Sequence, residues 1–159
     1  MKTQTLLLKF AILMLTALTL GIGSVHAQEV KRKFGQPITV YKTPTCGCCS
    51  SWVDYLKTNG FRVETHDLNN LDGIKAQYGL TEPRLKSCHT AIVDGYVVEG
   101  HVPANDIWRL LSERPDVVGI TAPGMPQMSP GMMSAKPEGY DVLSFDKENK
   151  TDLFSRYCP

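Results

Sequence analysis

Cys46-Gly47-Cys48-Cys49 places three thiols within four residues, between a β-prone run and a segment with helical patterning. A helix start presents unpaired backbone N–H groups and a partial positive charge, and both favour thiolate over thiol. Thiolates bind soft metals and attack disulfides. Two thiols suffice for exchange chemistry, so the third points to metal binding, with a plain dithiol pair of Cys46 and Cys49 as the alternative. The chain holds five cysteines, the others being Cys88 and Cys158. In an oxidising compartment a purely structural disulfide set is usually even, so the leftover thiol again favours metal or redox chemistry.

The elements that must position these thiols follow from periodicity and punctuation. Ile38-Thr39-Val40-Tyr41 is a short strand, and Pro44 with Gly47 marks a loop. Trp52, Val53, Tyr55 and Leu56 give a helix its apolar face, with Asn59-Gly60 as the stop. Phe61 to Leu68 alternates as a second strand, and Leu71 to Tyr78 forms a short helix closed by Gly79. Thr90-Ala91-Ile92-Val93 and Tyr96-Val97-Val98 flank Asp94-Gly95 as a hairpin. Asn105 to Glu113 is a last helix, broken by Pro115. The order β-α-β-α-β-β-α, with a two-cysteine motif after the first strand, defines an α/β, thioredoxin-like domain over residues 37–116. In that fold the first helix's start faces the loop before the third strand, here Leu85-Lys86-Ser87-Cys88-His89. A fourth cysteine and a histidine thus reach the triple-cysteine loop. They stand where thioredoxins and glutaredoxins carry a cis-proline that helps grip substrates.

Residues 117–159 form an extension expected to pack on the same domain. Its first part is rich in Pro and Gly and carries Met125, Met128, Met132 and Met133. A terminal hairpin follows, from Tyr140–Asp146 and Thr151–Phe154 around Lys147-Glu148-Asn149-Lys150. Thiolates, an imidazole and thioethers together suit Cu(I), whereas zinc prefers four closed Cys/His ligands. A zinc site of Cys46, Cys49, Cys88 and His89 is the rival, but it leaves Cys48 and the methionines without a role. Cys48 and Cys49 are adjacent and bridge different ions more comfortably than they chelate one, which is how thiolate clusters grow.

Each residue also has a plainer reading. Cys88 could be a core cysteine, His101 could cap the last helix, and the methionines could fill irregular gaps. His66 reads as a surface residue and Cys158 as a free thiol.

The first 27 residues read as an export signal: Lys2 and Lys9, an apolar run from Phe10 to Ile22, then Val25-His26-Ala27 before cleavage. The run is shorter than the ~20 residues that span a bilayer, so no membrane association is expected after cleavage. Residues 28–36 are an N-terminal arm. The expected compartment is a bacterial periplasm. Loss of Lys2 and Lys9 takes the formal charge from +1 to −1, and no clustered basic surface for nucleic acid is evident. Roughly 130 residues remain, enough for one core.

Tyr41-Lys42-Thr43-Pro44-Thr45-Cys46-Gly47-Cys48-Cys49 resembles the corresponding stretch of the CopG-type periplasmic copper-resistance proteins. So do Trp52, Cys88-His89, Val98-Glu99-Gly100-His101-Val102-Pro103, Gly124-Met125-Pro126, Ser129-Pro130-Gly131-Met132 and Tyr140-Asp141-Val142. The likeness covers nearly all of the chain after the signal. It implies a thioredoxin-like fold, a multinuclear Cu(I)–thiolate cluster and a role in copper tolerance, with interconversion of Cu(I) and Cu(II). It also implies ligand positions: Cys46, Cys48, Cys49 and Cys88 for the cluster, then His89, with His101, Met125 and Met132 as outer ligands. Met128, Met133 and Cys158 fall outside the pattern. Copper ions and periplasmic copper-handling proteins are the expected partners. The competing functions are a thiol-disulfide oxidoreductase and a mononuclear copper chaperone.

Overall fold

The computed structural model describes residues 35–132 and 138–159. The export segment, most of the arm, and Met133 lie outside them. Seven strands form one sheet in the order β2-β1-β3-β4-β5-β6-β7. They are β1 (Gln36–Lys42), β2 (Phe61–Asp67), β3 (Thr90–Val93), β4 (Tyr96–Glu99), β5 (Gly119–Thr121), β6 (Tyr140–Phe145) and β7 (Thr151–Tyr157). The helices are α1 (Gly47–Thr58), α2 (Asp72–Gln77) and α3 (Ala104–Glu113), with a 3₁₀ turn at Pro83–Leu85. This α/β arrangement is compatible with the thioredoxin-like order expected from the sequence.

Strand periodicity divides the core. Ala91, Val93 and Val98 point to the face covered by α1 and α3, where they pack with Trp52, Leu56, Ile107 and Leu110. Ile92 and Val97 point to the other face, against Leu80, Leu85 and Phe145. Chain reversals fall where the sequence marked them. Asp94 and Gly95 both take positive φ, 48° and 88°, as a tight β3–β4 hairpin requires. Gly60, at φ 91°, turns the chain out of α1.

β1 is the pivot of the site. It runs parallel to β2 and antiparallel to β3, with Tyr41 opposite Thr90. The end of β1 and the start of β3 therefore lie at the same end of the sheet, which places the loop leading into α1 beside Ser87-Cys88-His89.

α2 and α3 match the expected segments to within a residue at each end, α1 starts at Gly47, which the sequence marked as loop, and β7 runs three residues beyond Phe154. β5 was not expected. Three residues, Gly119-Ile120-Thr121, are too few for a periodic signal, yet they are fully buried and pair parallel to β4 and antiparallel to β6. Through β5 the sheet continues into the terminal hairpin. β7 is held to α3 by polar contacts: Ser155 Oγ and Tyr157 OH donate to the buried Asp106 carboxylate at 2.5 and 2.9 Å. Arg109 Nη2 donates to the Phe154 carbonyl at 2.6 Å.

The β4–β5 pairing makes a direct prediction. A Cβ at Gly119 would lie 2.0 Å from the Val97 carbonyl oxygen, and backbone atoms cannot swing aside. Gly119→Ala should lower stability by about 1–3 kcal/mol or more in urea denaturation. An unchanged midpoint would show that β5 does not lie against Val97.

Candidate metal centre

Cys46 is the residue before the first turn of α1. Its side chain makes no capping hydrogen bond, and that turn contains no acid. The helix start is therefore neither capped by the Cys46 side chain nor neutralised by an acid, an electropositive setting that suits anionic ligands. The sulfurs of Cys46, Cys48, Cys49 and Cys88 all lie within 4.8 Å of one another, and those of Cys46 and Cys48 are 3.6 Å apart. Sulfurs sharing one tetrahedral ion stand roughly 3.8 Å apart at the usual metal–sulfur bond of about 2.3 Å. Cys46 and Cys49 are joined as a disulfide, with Cα atoms 5.3 Å apart; Cys48, Cys88 and Cys158 are free.

A second group shares Cys88. Its sulfur lies 3.3 Å from His89 Nδ1 and 3.2 Å from His101 Nε2. Both imidazoles are fully buried, and their rings meet edge to face at 4.8 Å. Trp52 stacks obliquely on His89 at 4.4 Å and anchors itself by donating Nε1–H to the Val102 carbonyl at 2.9 Å. His101 Nδ1 donates to the Pro130 carbonyl at 2.8 Å, which leaves Nε2 as the lone-pair nitrogen facing Cys88. The Cys88 sulfur thus sits among the other sulfurs and the rings, half-buried rather than enclosed as a core cysteine. His101 does not cap α3, whose N-cap is Pro103 with no side-chain bond.

Burial sets the protonation states. It holds the His89 imidazole well below its ordinary value, and His101 and Lys75 reinforce this. It lowers His101 as well, against the opposing Pro130 carbonyl. Both rings are therefore neutral near pH 7, the form that binds metal. Burial pushes the Cys88 thiol up to about 11, and its neighbour Cys48 contributes, so a bound cation must displace that proton.

Beneath Cys88 lies a polar network that sequence reading did not single out. Glu99 is fully buried and pairs with the buried Lys75. It accepts from Ser87 N at 2.6 Å and Thr90 Oγ1 at 2.7 Å, and Lys75 Nζ also donates to Thr90 Oγ1 at 2.9 Å. Glu99 therefore holds the Ser87 backbone on one side of Cys88-His89 and the Thr90 side chain on the other. Removing one member of such a pair costs about 3–5 kcal/mol because the other charge stays buried. The available signal was a carboxylate ending the apolar run Tyr96-Val97-Val98.

Residues 121–131 form a strap over the site. Thr121 Oγ1 donates to the Leu85 carbonyl at 2.7 Å, Gly124 N to the Lys86 carbonyl at 3.1 Å, and Ser87 Oγ to the Gly124 carbonyl. Gly131, at φ 84°, presses onto α1: a Cβ there would lie 2.7 Å from Trp52 N and 2.9 Å from the Cys48 carbonyl. Met132 follows this contact and is half-buried. Met125 is 49% exposed and Met128 36%; neither is shown in contact with the sulfurs. Of the other candidates, His66 is exposed and pairs with Glu64, and Cys158 is exposed.

Fold and site together define an α/β protein with a sulfur-rich metal centre at the start of its first helix. A family described as "Protein of unknown function, DUF411" matches residues 85–132, which include Cys88, His89, His101 and the strap. A solved structure titled "Copper resistance protein copG- Form 1" is 38% identical, covering 79% of this chain and 99% of its own, with a TM-score of 0.73. Its "Form 2" is 38% identical over 77% and 98%, with a TM-score of 0.72. No curated protein sequence matches. The chain belongs to the CopG family.

The thiols should react in an order set by burial. Alkylation should modify the exposed Cys158 first. The Cys88 rate should climb about tenfold per pH unit until pH about 11. Levelling off near the ordinary thiol value, about 8.5, would contradict the burial given to Cys88.

Proposed function

We propose that this protein protects the cell envelope from copper by gathering several Cu(I) ions on bridging thiolates. The carrying observation is that four cysteine sulfurs from two chain segments lie within 4.8 Å of one another. The relatives titled copper resistance proteins support copper as the cargo, and so does the donor set, since thiolate selects Cu(I). In this reading Cys46, Cys48, Cys49 and Cys88 bridge the ions, His89 and His101 bind at the margin, and Met125 and Met132 offer outer thioethers. Residues 1–27 direct export, and the protein works in the periplasm.

Cys46 and Cys49 become donors only as thiolates, so the cluster forms on the reduced pair. Ions joined through shared sulfur can exchange an electron with little ligand movement. Interconversion of Cu(I) and Cu(II) at the centre then takes an external one-electron acceptor or donor, with the cluster passing the electron between that partner and the ions.

One observation favours a second reading. The Cys46–Cys49 disulfide at a helix start is the arrangement of a thiol-disulfide oxidoreductase. That reading requires only those two thiols and leaves Cys48, Cys88 and both imidazoles without a task.

Cu(I) titration of the reduced protein under anaerobic conditions separates the two. Several ions per chain are expected, fewer in Cys48→Ser, and a strain lacking the protein should lose copper tolerance. Binding of one ion or none, unaffected by Cys48→Ser, together with insulin reduction that survives Cys88→Ser, would establish the oxidoreductase instead.

A further inference from the structure

We propose that closing the Cys46–Cys49 disulfide does not end metal binding but leaves a separate mononuclear site, in which Cys88, His89 and His101 hold one divalent ion of borderline softness. The site is a geometric group in its own right: the three ligand atoms lie within 4.8 Å of one another without either disulfide sulfur. The sulfur-to-nitrogen separations of 3.3 and 3.2 Å fall close to the roughly 3.5 Å expected for sulfur and nitrogen on one tetrahedral ion, with bonds of about 2.3 and 2.0 Å.

The surroundings orient these ligands. His101 donates Nδ1–H to the Pro130 carbonyl, the outer contact by which a metal-binding imidazole is held in the correct tautomer. His89 Nε2 is buried with no well-formed hydrogen bond, and the other ring nitrogen, Nδ1, faces the Cys88 sulfur. Trp52 fixes the His89 ring plane, and Glu99 holds the backbone at Ser87. Cys48, whose sulfur also stands near Cys88, is placed to offer a fourth donor.

Softness separates the two states. Four thiolates select Cu(I), whereas one thiolate with two imidazoles suits divalent copper, zinc or cobalt. The disulfide decides which is assembled, because closing it removes the Cys46 and Cys49 thiolates from the donor set while leaving Cys88 free. The inference shares Cys88, His89 and His101 with the Cu(I) reading but does not require that any Cu(I) cluster form.

The test uses air-oxidised, metal-free protein and Co(II) alone, an ion that does not oxidise thiols. Thiol titration should first find three free thiols per chain, the number left by one disulfide; any other number overturns the proposal. One Co(II) per chain should then bind, with a sulfur-to-cobalt charge-transfer band and the strong d–d bands of a tetrahedral ion. Cys88→Ser should abolish the charge-transfer band. His101→Gln, close in size to the native ring, should weaken binding about tenfold or more, and Cys158→Ser should leave the spectrum unchanged. Circular dichroism of each variant checks folding, and Cys88→Ser alone decides if His101→Gln does not fold. No bound Co(II), or a spectrum indifferent to Cys88→Ser, would overturn the inference. Parallel Cu(I) titration of the reduced protein reads the thiolate cluster separately, so either can fail alone.

Discussion

The antiparallel pairing of β1 with β3 is the constraint on which the site rests. Tyr41 stands opposite Thr90, so the chain leaves β1 and enters β3 at the same end of the strands. Cys46 follows β1 by four residues and Cys88 precedes β3 by two. Two loops far apart in sequence are thereby held together by hydrogen bonds that neither loop makes. The sulfurs meet because the sheet leaves them nowhere else to go.

That convergence is costly to maintain, and the surrounding structure supports it. Buried imidazoles, a half-buried thiol and a buried ion pair are gathered in one place, an arrangement stable only when each polar group has a partner. Glu99 satisfies Ser87, Thr90 and Lys75 together. The strap adds contacts from the far side through His101 with Pro130 and through Gly131 on the backbone of α1. The Cys46–Cys49 disulfide withholds two of the four sulfurs until it is reduced.

Much of this was legible in the sequence, for identifiable reasons. The first helix, both hairpins and the convergence of Cys46, Cys48, Cys49 and Cys88 follow from local periodicity, turn residues and the element order of one fold. β5 was not legible, because its three residues carry no period and their strand character comes from neighbours on both sides. The partnership of Lys75 with Glu99 was hidden as well. A lysine on a short helix ordinarily reads as solvated, and only the tertiary fold brings it against a strand-end carboxylate. His101 was recognised as a candidate, but its tautomer depends on a carbonyl 29 residues further along. The methionines divide: Met132 lies next to the strap's contact with α1, while Met125 is exposed at the surface.

X-ray absorption at the copper edge, on reduced protein loaded with Cu(I), tests the central claim most directly. Convergence of the four sulfurs predicts a first shell dominated by sulfur, with a further copper–copper scattering path from ions that share thiolates. A first shell of nitrogen and oxygen, or a sulfur shell with no neighbouring copper, would contradict it.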